Sequence, residues 1–214
     1  MSAYPIILCL AKRNCTVIGG GAVAERKIGD LLAAGACVTV ISPMVTDAIS
    51  QWSASGRLTH VPRPYQSGDM GDCFLLICAT DNKTVNEAAA GEARARGILV
   101  NVVDAPELCD FTVPSKICRG DLLLTISTGG HSPALAKKLR IELENTYGPE
   151  YGLWLELAGK LRDELKAALP SSKAREEFWQ RAVDKDILSL LQSGKLSEAE
   201  DKIRHAISCI GPQP

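Results

Sequence analysis

The sequence predicts an α/β protein in which an N-terminal parallel sheet precedes a small α+β segment and a helical C-terminal part. Three observations support this fold class. Up to about residue 104, short apolar runs alternate with segments of helical periodicity, which is the pattern of a parallel sheet covered by helices. Residues 111–127 then have the pattern of two neighbouring strands. Beyond residue 132 the apolar residues recur at helical spacing.

The first predicted strand and helix are joined by a glycine-rich turn in the sequence CTVIGGGAVAERK. Gly19, Gly21 and Ala24 match the fingerprint G-x-G-x-x-G/A of Rossmann-type dinucleotide-binding sheets. Gly19 allows a sharp turn, Gly21 lets the backbone approach a pyrophosphate, and the small Ala24 lets the helix pack closely on the strand. The first helical residues, Ala22 and Val23, then present unpaired N–H groups to the phosphates.

The second predicted strand, over residues 37–41, ends without the usual ribose-binding residue. A dinucleotide site ordinarily has an acidic residue here for NAD, or a nearby arginine for NADP. This chain has Ser42 and Pro43 instead. Ser42 can still hydrogen-bond the ribose, and the sequence alone does not decide between NAD and NADP.

The other predicted elements of the sheet region alternate in the same way. They are helices over 22–34, 46–53 and 81–96, and strands over 58–61, 73–80 and 98–104. Because the carboxyl ends of parallel strands meet at one edge of the sheet, where ligands bind, Ser42, Thr80 and Asp104 are expected along one rim.

The second half of the chain begins with a predicted hairpin of strands 111–117 and 122–127. Ser132 and Pro133 are residue types that favour the N-cap and the first position of a helix, which is predicted to run to about residue 147. Three more helices are predicted, over 150–168, over 173–192 and from 197 onward. The last begins with Ser-Glu-Ala-Glu, which fits a capping box.

Two polar residues of the fifth predicted strand are candidates for chemistry. Asp104 ends the strand at the ligand rim, where a partly desolvated carboxylate suits proton transfer. The alternative is that Asp104 only forms the turn before Ala105 and Pro106. Asn101 lies within the same apolar strand and therefore needs a hydrogen-bond partner, which can be a nicotinamide, a ribose or a structural group.

A second candidate region is the turn Ser-Thr-Gly-Gly-His-Ser-Pro that precedes the fourth helix. Its hydroxyls, glycines and helix start favour anion binding, and several basic residues lie nearby in sequence. The expected substrate-binding residues are Lys116, Thr128, Gly129, His131 and Ser132. The alternative is a capped helix with a solvated basic face. His131 has no second histidine or cysteine at ligand spacing, so it is a weak metal candidate and no resident metal site is predicted.

Composition narrows the class of protein further. The formal net charge of −1 provides no overall attraction to nucleic acid, and neither a signal peptide nor a membrane-spanning apolar run is recognisable. The eight cysteines form no CxxC pair, so Cys15, Cys37, Cys73 and Cys78 are interpreted as small buried residues. A cytoplasmic protein without a nucleic-acid or membrane partner is expected.

Five ordered motifs, CTVIGGGAVAERK, CFLLICATDN, NVVDAP, FTVPSKI and STGGHSPALAKKLR, carry a resemblance to a known family. From residue 8 to about 181 the chain resembles the precorrin-2 dehydrogenase / sirohydrochlorin ferrochelatase enzymes of siroheme synthesis, in a free-standing form without the methyltransferase. The resemblance implies NAD-dependent oxidation of precorrin-2 to sirohydrochlorin, and Fe²⁺ insertion giving siroheme in many members. A dehydrogenase without chelatase activity and an NAD-sensing regulatory module remain alternatives.

The resemblance also implies a domain organisation and roles for single residues. It implies a homodimer with an NAD-binding domain over 1–112, a dimerisation segment over 113–148 and a helical domain over 149–214. Asp104 falls on the family's general base, which also assists removal of pyrrole protons during chelation. The implied NAD contacts are Gly21, Ala22, Val23, Ser42, Pro43, Thr80 and Asn101. Thr128 and His131 stand where other members commonly carry Ser and a small hydroxyl residue, so their roles stay open.

Overall fold

The computed structural model describes residues 4–209, which form two compact units, one ending at Val113 and the other beginning at Pro114. Residues 1–3 and 210–214, the outer ends of the predicted first and last domains, lie outside the described residues. The first unit contains strands β1 (Asn14–Ile18), β2 (Cys37–Ile41), β3 (Leu58–Val61), β4 (Leu75–Cys78) and β5 (Leu99–Val102). Its helices are α1 (Ala22–Ala33), α2 (Asp47–Ala54) and α3 (Lys83–Ala95), followed by a 3₁₀ turn (Pro106–Leu108).

The five strands form one parallel sheet in the order β3-β2-β1-β4-β5, which confirms the predicted Rossmann-type topology. The strand order reverses between β1 and β4, and this switch point is where such sheets bind ligands. Ile18 is level with Ile41 on one side and with Cys78 on the other, and Cys78 is level with Val102. The carboxyl ends of four strands therefore lie at one edge.

Two apolar cores cover the two faces of this sheet. Val17, Val40 and Ile77 point to the face that α1 covers, whereas Leu76 and Val100 point to the face that α3 covers. All five side chains are at most 2% exposed. Burial on both faces explains why the strands are nearly continuous apolar runs.

The first unit corrects two details of the prediction. The strands predicted over 73–80 and 98–104 are shorter, and a turn at Val103 and Asp104 ends the second of them. Cys37 is exposed, whereas Cys15, Cys73 and Cys78 are buried. Cys37 is the first residue of β2 and lies at the end of the strand, whereas Val38, Val40 and Ile41 further along it are buried.

The second unit begins with an antiparallel hairpin of β6 (Ser115–Arg119) and β7 (Leu122–Ile126). The helices α4 (Pro133–Thr146), α5 (Glu150–Ala168), α6 (Ser172–Ala182), α7 (Lys185–Gln192) and α8 (Leu196–Ser208) follow. Leu161, Leu165 and Ile203 are at most 2% exposed and belong to one apolar cluster formed by α5–α8. No helix within residues 4–209 is both long enough and apolar enough to cross a bilayer.

Two predictions for the helical part are wrong. The helix predicted over 173–192 is two helices: α6 ends at Ala182, and Asp184 caps α7 by accepting the N–H of Ile187 at 2.7 Å. The helix predicted to follow a cap at Ser197 has Lys195 as its N-cap, two residues earlier. The backbone N–H of Ala199 already donates to the carbonyl of Lys195, so Ser197 lies inside the first turn.

The loop between β3 and β4 is held on α3 by one carboxylate. Glu92 accepts hydrogen bonds from the Tyr65 hydroxyl at 2.5 Å, the Ser67 hydroxyl at 3.0 Å and the backbone N–H of Gly68. These donors, the Tyr65 hydroxyl first, hold the pKa of Glu92 below its ordinary value. The ionised carboxylate therefore stabilises the folded state.

Replacing Gly19 with alanine is expected to destabilise the first unit strongly. Gly19 has a φ of +115°, and a Cβ there would lie 2.3 Å from the carbonyl oxygen of Ala79. The predicted loss is at least about 2 kcal/mol, measured by calorimetric unfolding. Gly21→Ala is the matched control, since a Cβ at Gly21 meets nothing within 4 Å. Equal melting temperatures for the two variants would contradict the prediction.

The Glu92 contribution is expected to depend on pH. Since the folded-state pKa is lowered, the stabilisation is present above the ordinary pKa of about 4.3 and is lost as the pH falls through the folded-state value. Glu92→Gln should lower the melting temperature at pH 7 by about 2 °C, and the difference from wild type should shrink as the pH falls below the ordinary pKa of a glutamate. A difference that stays constant would contradict this role. The exposed Glu87 of the same helix provides the control variant Glu87→Gln.

Candidate functional site

The glycine turn after β1 packs directly against the ends of both neighbouring strands. The N–H of Gly19 donates to the carbonyl of Ile41 at 3.0 Å, and Gly19 leaves no room for a side chain beside Ala79. Gly20 is equally confined, because a Cβ there would lie 2.2 Å from the carbonyl oxygen of Met44. Gly20 is not a position of the fingerprint. The only sign in the sequence that a glycine is needed there is the run of three glycines.

Gly21 differs from these two glycines because no contact with the described residues requires a glycine there. Its φ of −80° is ordinary, and a Cβ would meet no described atom within 4 Å. Gly21 is the N-cap of α1, and no side chain caps this helix. Ala22 and Val23 are exposed, whereas Ala24 is fully buried. This open helix start, with room where a Cβ would stand, fits the pyrophosphate of a dinucleotide.

Ser42 is held at the end of β2 by three hydrogen bonds within the first unit. Its hydroxyl donates to the carbonyl of Met44 at 2.6 Å, and its N–H donates to the carbonyl of Val61 at 3.2 Å. Its carbonyl accepts Nε2–H of His60 at 2.9 Å, a residue to which the sequence assigned no role. The Ser42 hydroxyl can therefore offer a ribose only its lone pairs, next to the exposed Pro43.

Thr80 is anchored to the start of α3 in a similar way. Its Oγ1 lies 2.9 Å from Oδ1 of Asn86 and accepts the N–H of Asn82 at 3.1 Å. Asn86 is buried, and its Nδ2 donates to the Thr80 carbonyl at 2.9 Å. Sequence reasoning missed Asn86, because a polar residue in a helix has no distinctive local signal.

The two candidates on β5 have different surroundings. Asn101 is 8% exposed, and its Nδ2 donates to the carbonyl of Phe111 at 2.9 Å. Of the partners that the sequence allowed for Asn101, the structural group is therefore present. Asp104 lies in the turn after β5 with a φ of +58°, a conformation that aspartate tolerates better than most residues. Asp104 is exposed, so the expected partial desolvation is not found in this unit, because the turn extends beyond the strand end.

In the second unit, the turn before α4 is organised by Thr128 and Ser132. Oγ1 of Thr128 accepts the N–H of Ser132 at 3.2 Å, and Oγ of Ser132 accepts the N–H of Leu135 at 3.2 Å. Ser132 is therefore the predicted N-cap. Gly129 has a φ of +60°, and His131 is exposed. Lys116 projects from the exposed side of β6.

Thiols and metal-binding groups do not form a centre in the described part of the chain. All eight cysteines are free, and burial raises the pKa of Cys15 to about 11 and that of Cys78 to about 12. These two thiols stay protonated at neutral pH. Within residues 4–209, no group of three or more His, Cys, Asp and Glu side chains is arranged to hold a metal ion.

Family models match three consecutive parts of the chain. An NAD(P)-binding model matches residues 6–115, and the model of the sirohaem biosynthesis protein central region matches residues 119–146. The model of the sirohaem synthase dimerisation region matches residues 150–207.

Individual proteins with known names are similar over nearly all of this chain. The siroheme synthase of Methylococcus capsulatus is 38% identical over 213 residues, covering 100% of this chain and 45% of that protein. The siroheme synthase of Methylobacillus flagellatus is 39% identical, covering 97% of this chain and 44% of that protein. The chain thus spans less than half the length of these relatives.

A solved structure extends the similarity to the fold. The structure of SirC, precorrin-2 dehydrogenase, matches with a TM-score of 0.76 and 29% identity, covering 95% of this chain and 100% of the SirC chain. The NAD(P)-binding model covers residues 6–115, half of the chain, and the two sirohaem models cover most of the rest, so the chain belongs to the siroheme synthase family and carries its nicotinamide-cofactor-binding part.

Proposed function

We propose that this protein oxidises precorrin-2 to sirohydrochlorin with NAD in the biosynthesis of siroheme. The observation that carries the proposal is the uncapped helix start at Gly21, which lies at the switch point of a sheet whose same edge carries Asp104. The similarity to SirC over that protein's full length supports the choice of substrate. The eight free cysteines suit the reducing cytoplasm, where we propose that the protein works.

The cofactor is held by the edge that the glycine turn forms. The N–H groups of Gly21, Ala22 and Val23 bind the pyrophosphate, because α1 has no capping side chain to compete for them. The proposed contacts to the ribose and nicotinamide portions are Ser42, Pro43, Thr80 and Asn101, with Gly19 shaping the turn. When bound, NAD supplies the hydride acceptor of the oxidation.

NAD is proposed over NADP because of the residues that follow β2. A 2′-phosphate is ordinarily bound by a guanidinium near this position, which here holds Ser42 and Pro43. The nearest arginine that follows in sequence, Arg57, stacks on the ring of Trp52 at 5.8 Å from its centroid. Arg63 is paired with Asp69 at 2.6 Å.

Asp104 is proposed as the general base. The oxidation removes two electrons and two hydrogens from the substrate, one hydrogen as hydride to the cofactor and the other as a proton. The exposed carboxylate of Asp104 accepts that proton. Its left-handed backbone conformation sets the direction in which the side chain leaves the turn after β5.

The substrate carries several carboxylates, and the second unit offers groups that suit them. We propose that the cation of Lys116 and the turn residues Thr128, Gly129, His131 and Ser132 bind these carboxylates. A charged donor forms a stronger hydrogen bond to a carboxylate than a neutral one does. His131 thus acts in substrate binding rather than as a metal ligand.

A homodimer is proposed from the apolar surface of the second unit. Leu123, Leu135 and Ile141 are between 38% and 47% exposed, and α4 contains no buried residue. A second copy that covers this exposed apolar surface would remove it from water and so stabilise the unit. We retain segments 1–112, 113–148 and 149–214 as the proposed domains, with 113–148 dimerising alongside the matched dimerisation region at 150–207.

A second activity, insertion of Fe²⁺ into sirohydrochlorin, is proposed for the same site. Fe²⁺ is a substrate of this step. The insertion requires removal of two pyrrole N–H protons, and the exposed carboxylate of Asp104 is a group that can accept protons in turn and return them to water.

Two variants separate cofactor binding from catalysis. Asp104→Ala should lower kcat for precorrin-2 by at least about 10²-fold while the Kd for NAD, measured by calorimetry, stays within about twofold. Gly21→Val should instead weaken NAD binding by about tenfold or more. The assay follows the absorbance of sirohydrochlorin and NADH. Wild-type protein that forms neither product would overturn the proposed function, and a fully active Asp104→Ala would remove Asp104 from the mechanism.

The chelatase proposal has a separate test. Purified sirohydrochlorin with Fe²⁺ under anaerobic conditions, or with Co²⁺, should be metallated at least about tenfold faster with the wild type than without protein, and Asp104→Ala should lose this acceleration. Asp121→Ala, which removes an exposed carboxylate from the β6–β7 turn, is the control. A wild-type rate equal to the protein-free rate would show a dehydrogenase without chelatase activity.

A further inference from the structure

The free edge of β5 is covered by the segment 109–111. β5 is the last strand of the sheet and pairs with β4 on one side only. On its other side, Val100 exchanges hydrogen bonds with Asp110, whose N–H donates to the Val100 carbonyl at 2.9 Å and whose Oδ2 accepts the Val100 N–H at 3.0 Å. Val102 also directs its backbone N–H and carbonyl toward this free edge. A sulfur atom lies against both groups.

Cys109 provides that sulfur. Its Sγ accepts the N–H of Val102 at 3.2 Å and lies 3.2 Å from the Val102 carbonyl and 3.3 Å from the Ala105 carbonyl. A thiol has one hydrogen, so it donates to one of these two carbonyls at a time. Nδ2 of Asn101 also approaches the sulfur, at 3.6 Å. The half-buried thiol thus contacts several backbone groups at the end of β5.

These contacts bracket the turn that carries Asp104. Val102 and Ala105 are the first and fourth residues of this turn, and the Ala105 N–H donates to the Val102 carbonyl at 3.4 Å, which is a long bond. Asp104 is the third residue, with its φ of +58°. Since this conformation is disfavoured for a residue with a side chain, contacts at both ends of the turn are needed to maintain it. Cys109 is a side chain that reaches both ends.

We propose that Cys109 is a positioning residue for Asp104, its thiol holding the turn in the conformation that presents the carboxylate. This inference rests on the proposed function, in which Asp104 is the general base. Cys109 does not itself touch the substrate. Its effect on turnover therefore depends entirely on the presence of the Asp104 carboxylate.

The experiment combines three variants with a double mutant. Cys109→Ala removes both the donor and the acceptor and should lower kcat by about tenfold, because small displacements of a catalytic group are costly. The Kd for NAD should not change. Cys109→Ser keeps a hydroxyl that can donate and accept, and it should recover most of the lost turnover. The exposed Cys37 provides the control Cys37→Ala, for which wild-type kcat is expected.

The double mutant Asp104→Ala/Cys109→Ala distinguishes positioning from general stabilisation. If Cys109 acts through Asp104, the residual turnover of the double mutant should equal that of Asp104→Ala alone. A further tenfold loss in the double mutant would mean that Cys109 acts independently of Asp104 and would overturn the proposal. Wild-type kcat in Cys109→Ala would overturn it as well.

Amide hydrogen exchange provides a readout that does not depend on activity. In Cys109→Ala, the peptide spanning residues 102–105 should exchange about tenfold faster than in the wild type, with Cys109→Ser close to wild type. If the wild type fails to oxidise precorrin-2, the proposed function fails, and this exchange rate still decides whether Cys109 holds the turn. Unchanged exchange in Cys109→Ala would overturn the positioning role in either case.

Discussion

The close approach of the β1 turn to the ends of β2 and β4 is the constraint on which the rest of the first unit depends. Gly19 lies against the carbonyl of Ala79, and Gly20 lies against the carbonyl of Met44, each at a distance that excludes a Cβ. These two contacts bring three strand ends together at the switch point. They also fix where α1 begins, so that Gly21 and the helix N-terminus are left facing open space.

The polar side chains of this edge serve mainly to hold the edge itself. The hydroxyl of Ser42 donates to the loop after β2, Thr80 is joined to Asn86, and Asn101 is joined to Phe111. Buried polar groups need such partners, since leaving them unpaired is costly. The accessible groups of this edge include the backbone N–H groups at the start of α1 and the carboxylate of Asp104. The proposed chemistry uses these accessible groups, on a rim that the other side chains keep rigid.

The turn after β5 links this scaffold to the proposed reaction. An edge strand normally leaves a row of unpaired backbone groups, and here Cys109 and Asp110 meet those of Val100 and Val102. The same contacts brace the residues on either side of Asp104. Protection of a sheet edge and placement of a carboxylate are thus achieved by one short segment.

The sequence by itself determined the order of the elements, the parallel sheet and the glycine turn, because apolar periodicity and glycine spacing are local properties of the chain. It also identified Ser132 as the N-cap of α4. The helix break at Asp184 was missed although its cap to Ile187 is local. The exposure of Cys37 was missed because the sequence does not show what covers the start of β2.

Tertiary structure decided which polar residues have partners within the protein. Three side chains bond to backbone groups six or more residues away in sequence: Asn86 to Thr80, His60 to Ser42 and Cys109 to Val102. No local sequence pattern predicts these pairs. Asp104 illustrates both levels. Its place after an apolar strand is written in the sequence, whereas its exposure and its left-handed backbone follow from a turn that only the folded chain forms.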